Sequence, residues 1–252
     1  SAVANGDVTD AADGVIGIGK GALYALTSGA QNTAIGYQAA DGLTTGGYNT
    51  FVGYQVADGD TITGDENTAV GVTALQALTD GGQNTAIGVR AGLVMATGDK
   101  NVFIGKDAAD SATACSSVIA IGHDAMHTAS TSTDIDGTVA IGESALAALT
   151  SGGDNLAIGH DAAKLLTTGG NNTVVGQHAF DAAAHDEADN IVFGLGAMGA
   201  VAQGGTASST NREAKQNIAI GSGALIGGTL TSTNHLEGNI AIGYNALDAT
   251  SD

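Results

Sequence analysis

Two His-Asp pairs, His123-Asp124 and His160-Asp161, together with His178, supply the residue types that hold a transition metal, imidazole nitrogen and carboxylate oxygen. A metal site needs two or three such side chains to converge. In the repeat described below, His123 and His160 fall two repeats apart with Glu143 between them, roughly 10 Å at a rung spacing near 4.8 Å. That is too far for one zinc ion, so the expectation is a solvated row with Asp as a turn or cap residue, and no metal or cofactor is assigned. The acidic clusters Asp58-Gly59-Asp60 and Asp65-Glu66 could offer oxygens to calcium, but neither an EF-hand loop nor a nonapeptide calcium repeat is present. Gly194-Leu195-Gly196-Ala197-Met198-Gly199, after Asn190-Ile191-Val192-Phe193, spells the dinucleotide fingerprint. The Gly/Ser/Thr-rich stretch that follows is no helix former, so the match reads as accidental. No G-x-S-x-G, H-E-x-x-H or recognisable Cys/His pairing occurs, and no catalytic residue is nominated. The lone Cys115 excludes an intrachain disulfide and reads as a small buried filler.

These residues sit on a repeat. The pentad Asn84-Thr85-Ala86-Ile87-Gly88 returns along nearly the whole chain, closing on Gly19, Gly36, Gly53, Gly71, Gly88, Gly105, Gly122, Gly142, Gly159, Gly176, Gly194, Gly221 and Gly243. Successive spacings are 17, 17, 18, 17, 17, 17, 20, 17, 17, 18, 27 and 22 residues. A period this short, with a strand in each pentad, predicts an all-β solenoid of about thirteen 17-residue rungs over residues 14–252, after a polar lead-in at 1–13.

Each pentad reads as a short strand. With β-branched residues at its second and fourth positions, Thr85 and Ile87 share one face, taken as the core face, and Ala86 and Gly88 the other. An alanine follows three residues after nearly every pentad glycine, leaving room for close backbone approach. Segments such as Thr73-Ala74-Leu75-Gln76-Ala77-Leu78 place a capping residue before Ala-Leu and a second Leu three later. They suit either a short helical turn ending at glycine or a second short strand. Ten pentads begin with asparagine, at Asn32, Asn49, Asn67, Asn84, Asn101, Asn155, Asn172, Asn190, Asn217 and Asn239. An amide can donate to and accept from an identical neighbour one rung away, which predicts a structural ladder.

The period breaks near 127–137, 202–216 and 227–238, in Ser/Thr/Gly-rich stretches expected to bulge as loops. The middle insertion carries Arg212 and Lys215, two of only seven basic residues, and is the candidate interaction loop. Lys and Arg total 7 against 26 Asp and Glu, a net charge of −19, which argues against nucleic acid and anionic membrane surfaces as partners. No apolar run approaches the roughly 18 residues of a membrane span. Since the sequence opens at Ser1 without methionine, processing or excision from a longer chain is expected.

Asn32-Thr33-Ala34-Ile35-Gly36-Tyr37-Gln38-Ala39 resembles the 17-residue repeats of bacteriophage tail fibres, and the pentads resemble the head repeats of trimeric autotransporter adhesins. The resemblance covers about Gly14 to Asp252. It implies a left-handed parallel β-roll, a homo-trimer packed around a common axis, and an extracellular role, on a virion tail fibre or a bacterial cell surface, in binding a host-cell glycan or protein receptor. The adhesin-head repeat is shorter, and this chain shows neither a heptad stalk nor a membrane anchor. The expected function is a non-enzymatic attachment protein. A self-assembling extracellular filament subunit stacking end to end is the alternative; an ice-binding solenoid is disfavoured because Thr33, Thr50, Thr68 and Thr85 form only one column.

Thirteen rungs at about 4.8 Å predict a rod on the order of 60 Å long. Small-angle scattering checks this, and a radius of gyration near the roughly 18 Å of a compact single domain of this length contradicts it.

Overall fold

The computed structural model describes residues 12–128, 133–183, 187–199, 214–226 and 236–248. The chain is an all-β parallel solenoid, divided into two compact units between Ile121 and Gly122. The first unit holds seven three-residue strands, β1 (Ile16–Ile18), β2 (Thr33–Ile35), β3 (Thr50–Val52), β4 (Thr68–Val70), β5 (Thr85–Ile87), β6 (Val102–Ile104) and β7 (Ile119–Ile121), each parallel to the next in register. In the second, β8 (Val139–Ile141), β9 (Leu156–Ile158), β10 (Thr173–Val175), β11 (Ile191–Phe193), β13 (Ile218–Ile220) and β15 (Ile240–Ile242) repeat the arrangement. There β12 (Ala214–Lys215) and β14 (Leu236–Glu237) form a separate parallel pair. The stretches expected to bulge over 202–216 and 227–238 therefore end in strand; residues 200–213 and 227–235 lie outside the described residues.

The strands are short because both ends are turned by positive φ. The residue before each ladder asparagine is left-handed, as at Tyr48 (φ 62°) and Gln83 (φ 60°). At the other end Gly36 has φ 143°, a conformation that side chains with a Cβ rarely adopt. A Cβ there would also overlap the carbonyl oxygen of Gly53, one rung on. Glycine is thus demanded twice, by conformation and by stacking.

The asparagines form the ladder through a two-sided contact. The amide of Asn49 donates to Oδ1 of Asn32 (2.9 Å), and Nδ2 of Asn32 donates to the carbonyl of Gly46 (2.8 Å) in the next turn of chain. The pattern continues at Asn67, Asn84 and Asn101, and in the second unit from Asn155 through Asn172, Asn190 and Asn217 to Asn239. All but the last are at most 2 % exposed, so each amide completes backbone donors and acceptors that water cannot reach. Thr138 takes the ladder position of its rung, and its buried hydroxyl has no hydrogen-bond partner among the described residues.

Apart from β12, β14 and one 3-10 turn, the described second halves of the rungs are neither helix nor strand. Thr73 and Leu75 both have positive φ (53° and 48°), which no right-handed helix tolerates. Their amides bond in opposite directions, Thr73 back to the carbonyl of Tyr54 (2.9 Å) and Leu75 on to that of Ala91 (3.0 Å). With the backbone groups spent between rungs, no i to i−4 ladder can form. One 3-10 turn spans Thr133–Ile135.

The core runs between the strand centres and these turns. Ala34, Ala69, Ala86 and Ala120 are fully buried, and Leu23, Leu26, Leu43, Leu75 and Leu78 fill the space opposite. Sizes compensate: where the central strand residue is Phe51 or Phe103, the turn of that rung carries Ala57 or Ala109, and a Cβ on Gly92 would press into the Phe103 ring. Other rungs fill the same space differently, with Val174 and Phe180 both buried in one of them.

The expected strand faces are therefore inverted. Ala86 is the buried residue of β5, whereas Thr85 is only part-buried and Ile87 is 41 % exposed. Ala86→Asp is expected to abolish folding, since it buries an unpaired carboxylate at a cost of several kcal/mol, while Ile87→Asp keeps the β circular-dichroism spectrum. The opposite ranking would place the core on the other side of the strand.

Candidate functional site

The outward faces of the strands carry no charge. In the first unit the leading column runs from Ile16 through Thr33, Thr50, Thr68 and Thr85 to Val102 and Ile119, and beside it stands a second column of Ile and Val from Ile18 to Ile121. Because the strands pair in register, each column repeats at about 4.8 Å. Several of these residues are substantially exposed, Ile18 at 55 % and Ile87 at 41 % among them. The residue after each pentad glycine forms a third column. There Tyr37 and Tyr54 stack with ring centroids 5.3 Å apart, Lys20 lies over Tyr37 at 5.9 Å, and Val72 and Val89 are exposed.

In the second unit the strand columns are again uncharged, aliphatic except for Thr173 and Phe193, but the third column changes character. It reads His123, Glu143, His160 and Gln177. Glu143 lies within 3.9 Å of His123 Nδ1 and 4.0 Å of His160 Nε2. The sequence comparison of His123 with His160 overlooks the nearer neighbour: His160 meets His178 of the next rung, ring centroids 5.1 Å apart and edge to face. The available signal is positional. Asp161 and His178 both stand two residues after a pentad glycine, 17 residues apart, and so occupy equivalent places in consecutive rungs.

Other candidates have structural employment. Asp65 accepts from the amide of Gly47 (2.6 Å) and Glu66 from Gln83 Nε2 (2.9 Å). Gly194 of the dinucleotide-like string closes β11 at φ 132°, and a Cβ there would overlap Gly221, so it serves stacking. Cys115 is buried, and its carbonyl accepts from Asn101 Nδ2 (2.8 Å). Of the candidate interaction loop, Arg212 lies outside the described residues, while Lys215 belongs to β12 in register with Glu237 of β14. No described helix is long and apolar enough to cross a membrane. No family model, curated protein or solved structure matches the chain.

Two kinds of carboxylate set the pH response. Burial pushes Asp107 up, but hydrogen bonds from Arg90 and Lys106, backed by their charges, outweigh it and hold the carboxyl below the usual carboxylate range. Burial pushes Asp41 up, aided by the charge of Asp58 stacked beside it, and likewise pushes Asp58 and Asp181 up. A raised folded pKa means that the charged form is disfavoured in the fold, so stability is gained as pH falls through it; the depressed Asp107 contributes stability that is lost only as pH falls below the unfolded value of 3.8 through its lower folded one. The melting temperature is expected to rise on mild acidification from neutrality and to fall again under strong acid, and Asp58→Asn should flatten the rising limb. A melting temperature that only declines from neutral pH downward contradicts this assignment.

Proposed function

We propose that the chain is a non-enzymatic structural and attachment protein, a segment of a trimeric extracellular fibre of the phage tail-fibre or bacterial adhesin kind. The observation that carries the reading is the uncharged aliphatic face along the outside of each unit's strands, with Ile18 and Ile87 half-open to water on a chain of net charge −19. Covering the exposed part of one such isoleucine returns about 1 kcal/mol. Along seven rungs the sum reaches the 4–15 kcal/mol order that association costs. Covering a column along its whole length therefore suffices, and isolated contacts do not.

A second copy of the same face offers a matching repeat in register, with no charge to desolvate, whereas the rest of the molecule is strongly acidic and repels itself. Packing of three such faces around an axis covers them all and leaves the turns outside. The turns are then the surface that meets a host-cell glycan or protein receptor. Thr33, Thr50, Thr68 and Thr85 line only one column beside an aliphatic one, which favours packing over the ordered hydroxyl rows of an ice-binding surface.

Sedimentation equilibrium is expected to give three times the 24.4 kDa chain mass for the parent and a lower mass for Ile87→Asp with its fold retained. A monomeric parent, or an Ile87→Asp variant of unchanged mass, removes the support for this reading, and open filaments in electron micrographs would favour end-to-end stacking instead.

A further inference from the structure

We infer that His160, Asp161 and His178 bind a transition-metal dication of the zinc class on the second unit, across the turns that follow β9 and β10. Oδ2 of Asp161 lies 3.7 Å from His160 Nδ1 and 3.5 Å from His178 Nδ1. In a tetrahedral site with bonds near 2.1 Å, neighbouring ligand atoms stand about 3.4 Å apart, so this oxygen already has both nitrogens at close to ligand spacing. One ligand atom from each of the three residues lies within 4.8 Å of the others, and small rotations of the two half-exposed imidazoles complete the closure.

The backbone beneath is fixed. The amide of His178 donates to the carbonyl of His160, and that of Asp161 to Glu143, both at 2.9 Å. These bonds hold the ligands in adjacent rungs before any ion arrives. Lys164 Nζ lies 3.0 Å from Oδ1 of Asp161, the oxygen not turned to the imidazoles. It therefore leaves the proposed ligand position unoccupied.

Asp181 Oδ2 lies 3.4 Å from His178 Nδ1, and Glu143 lies 4.0 Å from the far nitrogen of His160. The carboxylates of Asp161 and Asp181 face the single ammonium of Lys164, so the pocket favours a cation. Two imidazoles select zinc, nickel, cobalt or copper over calcium and magnesium, which favour oxygen throughout. Bound there, the ion ties two rungs together and stabilises the fold by mass action.

The test uses the full chain freed of metal by chelation, titrated with Zn2+ by calorimetry and with Co2+ by visible absorption, whether the chain is monomeric or assembled. Expected are one saturable equivalent, a raised melting temperature and the intense visible bands of tetrahedral Co2+. His160→Ala and His178→Ala should each weaken binding at least about tenfold, with circular dichroism unchanged. Zinc binding that survives the double His160→Ala/His178→Ala change, or is displaced equally well by Ca2+, overturns the site in favour of diffuse attraction to an acidic surface. Absence of both saturation and Co2+ bands in the parent chain overturns it without recourse to any variant.

Discussion

Backbone stacking between rungs is the constraint on which the rest of this structure depends. The chain passes so close over itself that pentad glycines such as Gly36 and Gly194 have a neighbouring rung's carbonyl where a Cβ would sit. At that separation the amides and carbonyls of strand and turn alike are satisfied by the rungs on either side, which is how so thin a body, with little buried apolar area per residue, holds its backbone polar groups away from water. The asparagine ladder extends the same logic into a side chain. It converts a corner, where the backbone alone cannot pair, into one more hydrogen-bonded column.

The rung period, the strand position and the asparagine column were all legible in the sequence because each is enforced by that stacking and so recurs at the same place in every turn. The direction of the strand faces was not. The rule that β-branched residues point inward assumes a core thick enough to receive them, and here the interior accepts alanine from the strand and leucine from the turn. Phe51 and Phe103 at strand centres, each with a small Ala57 or Ala109 in its own turn, were the clue to the true interior. Leu75 misled in a different way. Its spacing from Leu78 suits a helix, but spacing cannot reveal that the amide of Leu75 is bound to Ala91 in another rung.

Inverting the faces changes what the molecule shows to water. Aliphatic columns that seemed to be the core are the exterior of the sheet, and the acids lie mainly on the turns, where Asp41 and Asp58 crowd each other and Asp107 is neutralised by Arg90 and Lys106. The surface is thereby divided between an uncharged stripe suited to packing and a charged rim suited to solvent, ions and recognition. The division follows from alternation along three-residue strands, and it holds in both units although their third columns differ, Tyr37 and Tyr54 in one and His160 in the other.

In such a fold, chemistry arises between residues one period apart. Positions inside the rung are held by packing and stacking, whereas residues on the outward columns and the turns that occupy equivalent places in consecutive rungs become neighbours at about 4.8 Å. Tyr37 with Tyr54, Arg90 with Asp107, and Asp161 with His178 are all pairs of this kind. Single-residue motifs read along the chain miss them, as the comparison of His123 with His160 missed His178, because the functional unit is a column and the sequence runs across it. A search by column finds the paired imidazoles and the carboxylate between them at once, since a rigid rung spacing brings two ordinary surface residues to ligand distance with no loop to order.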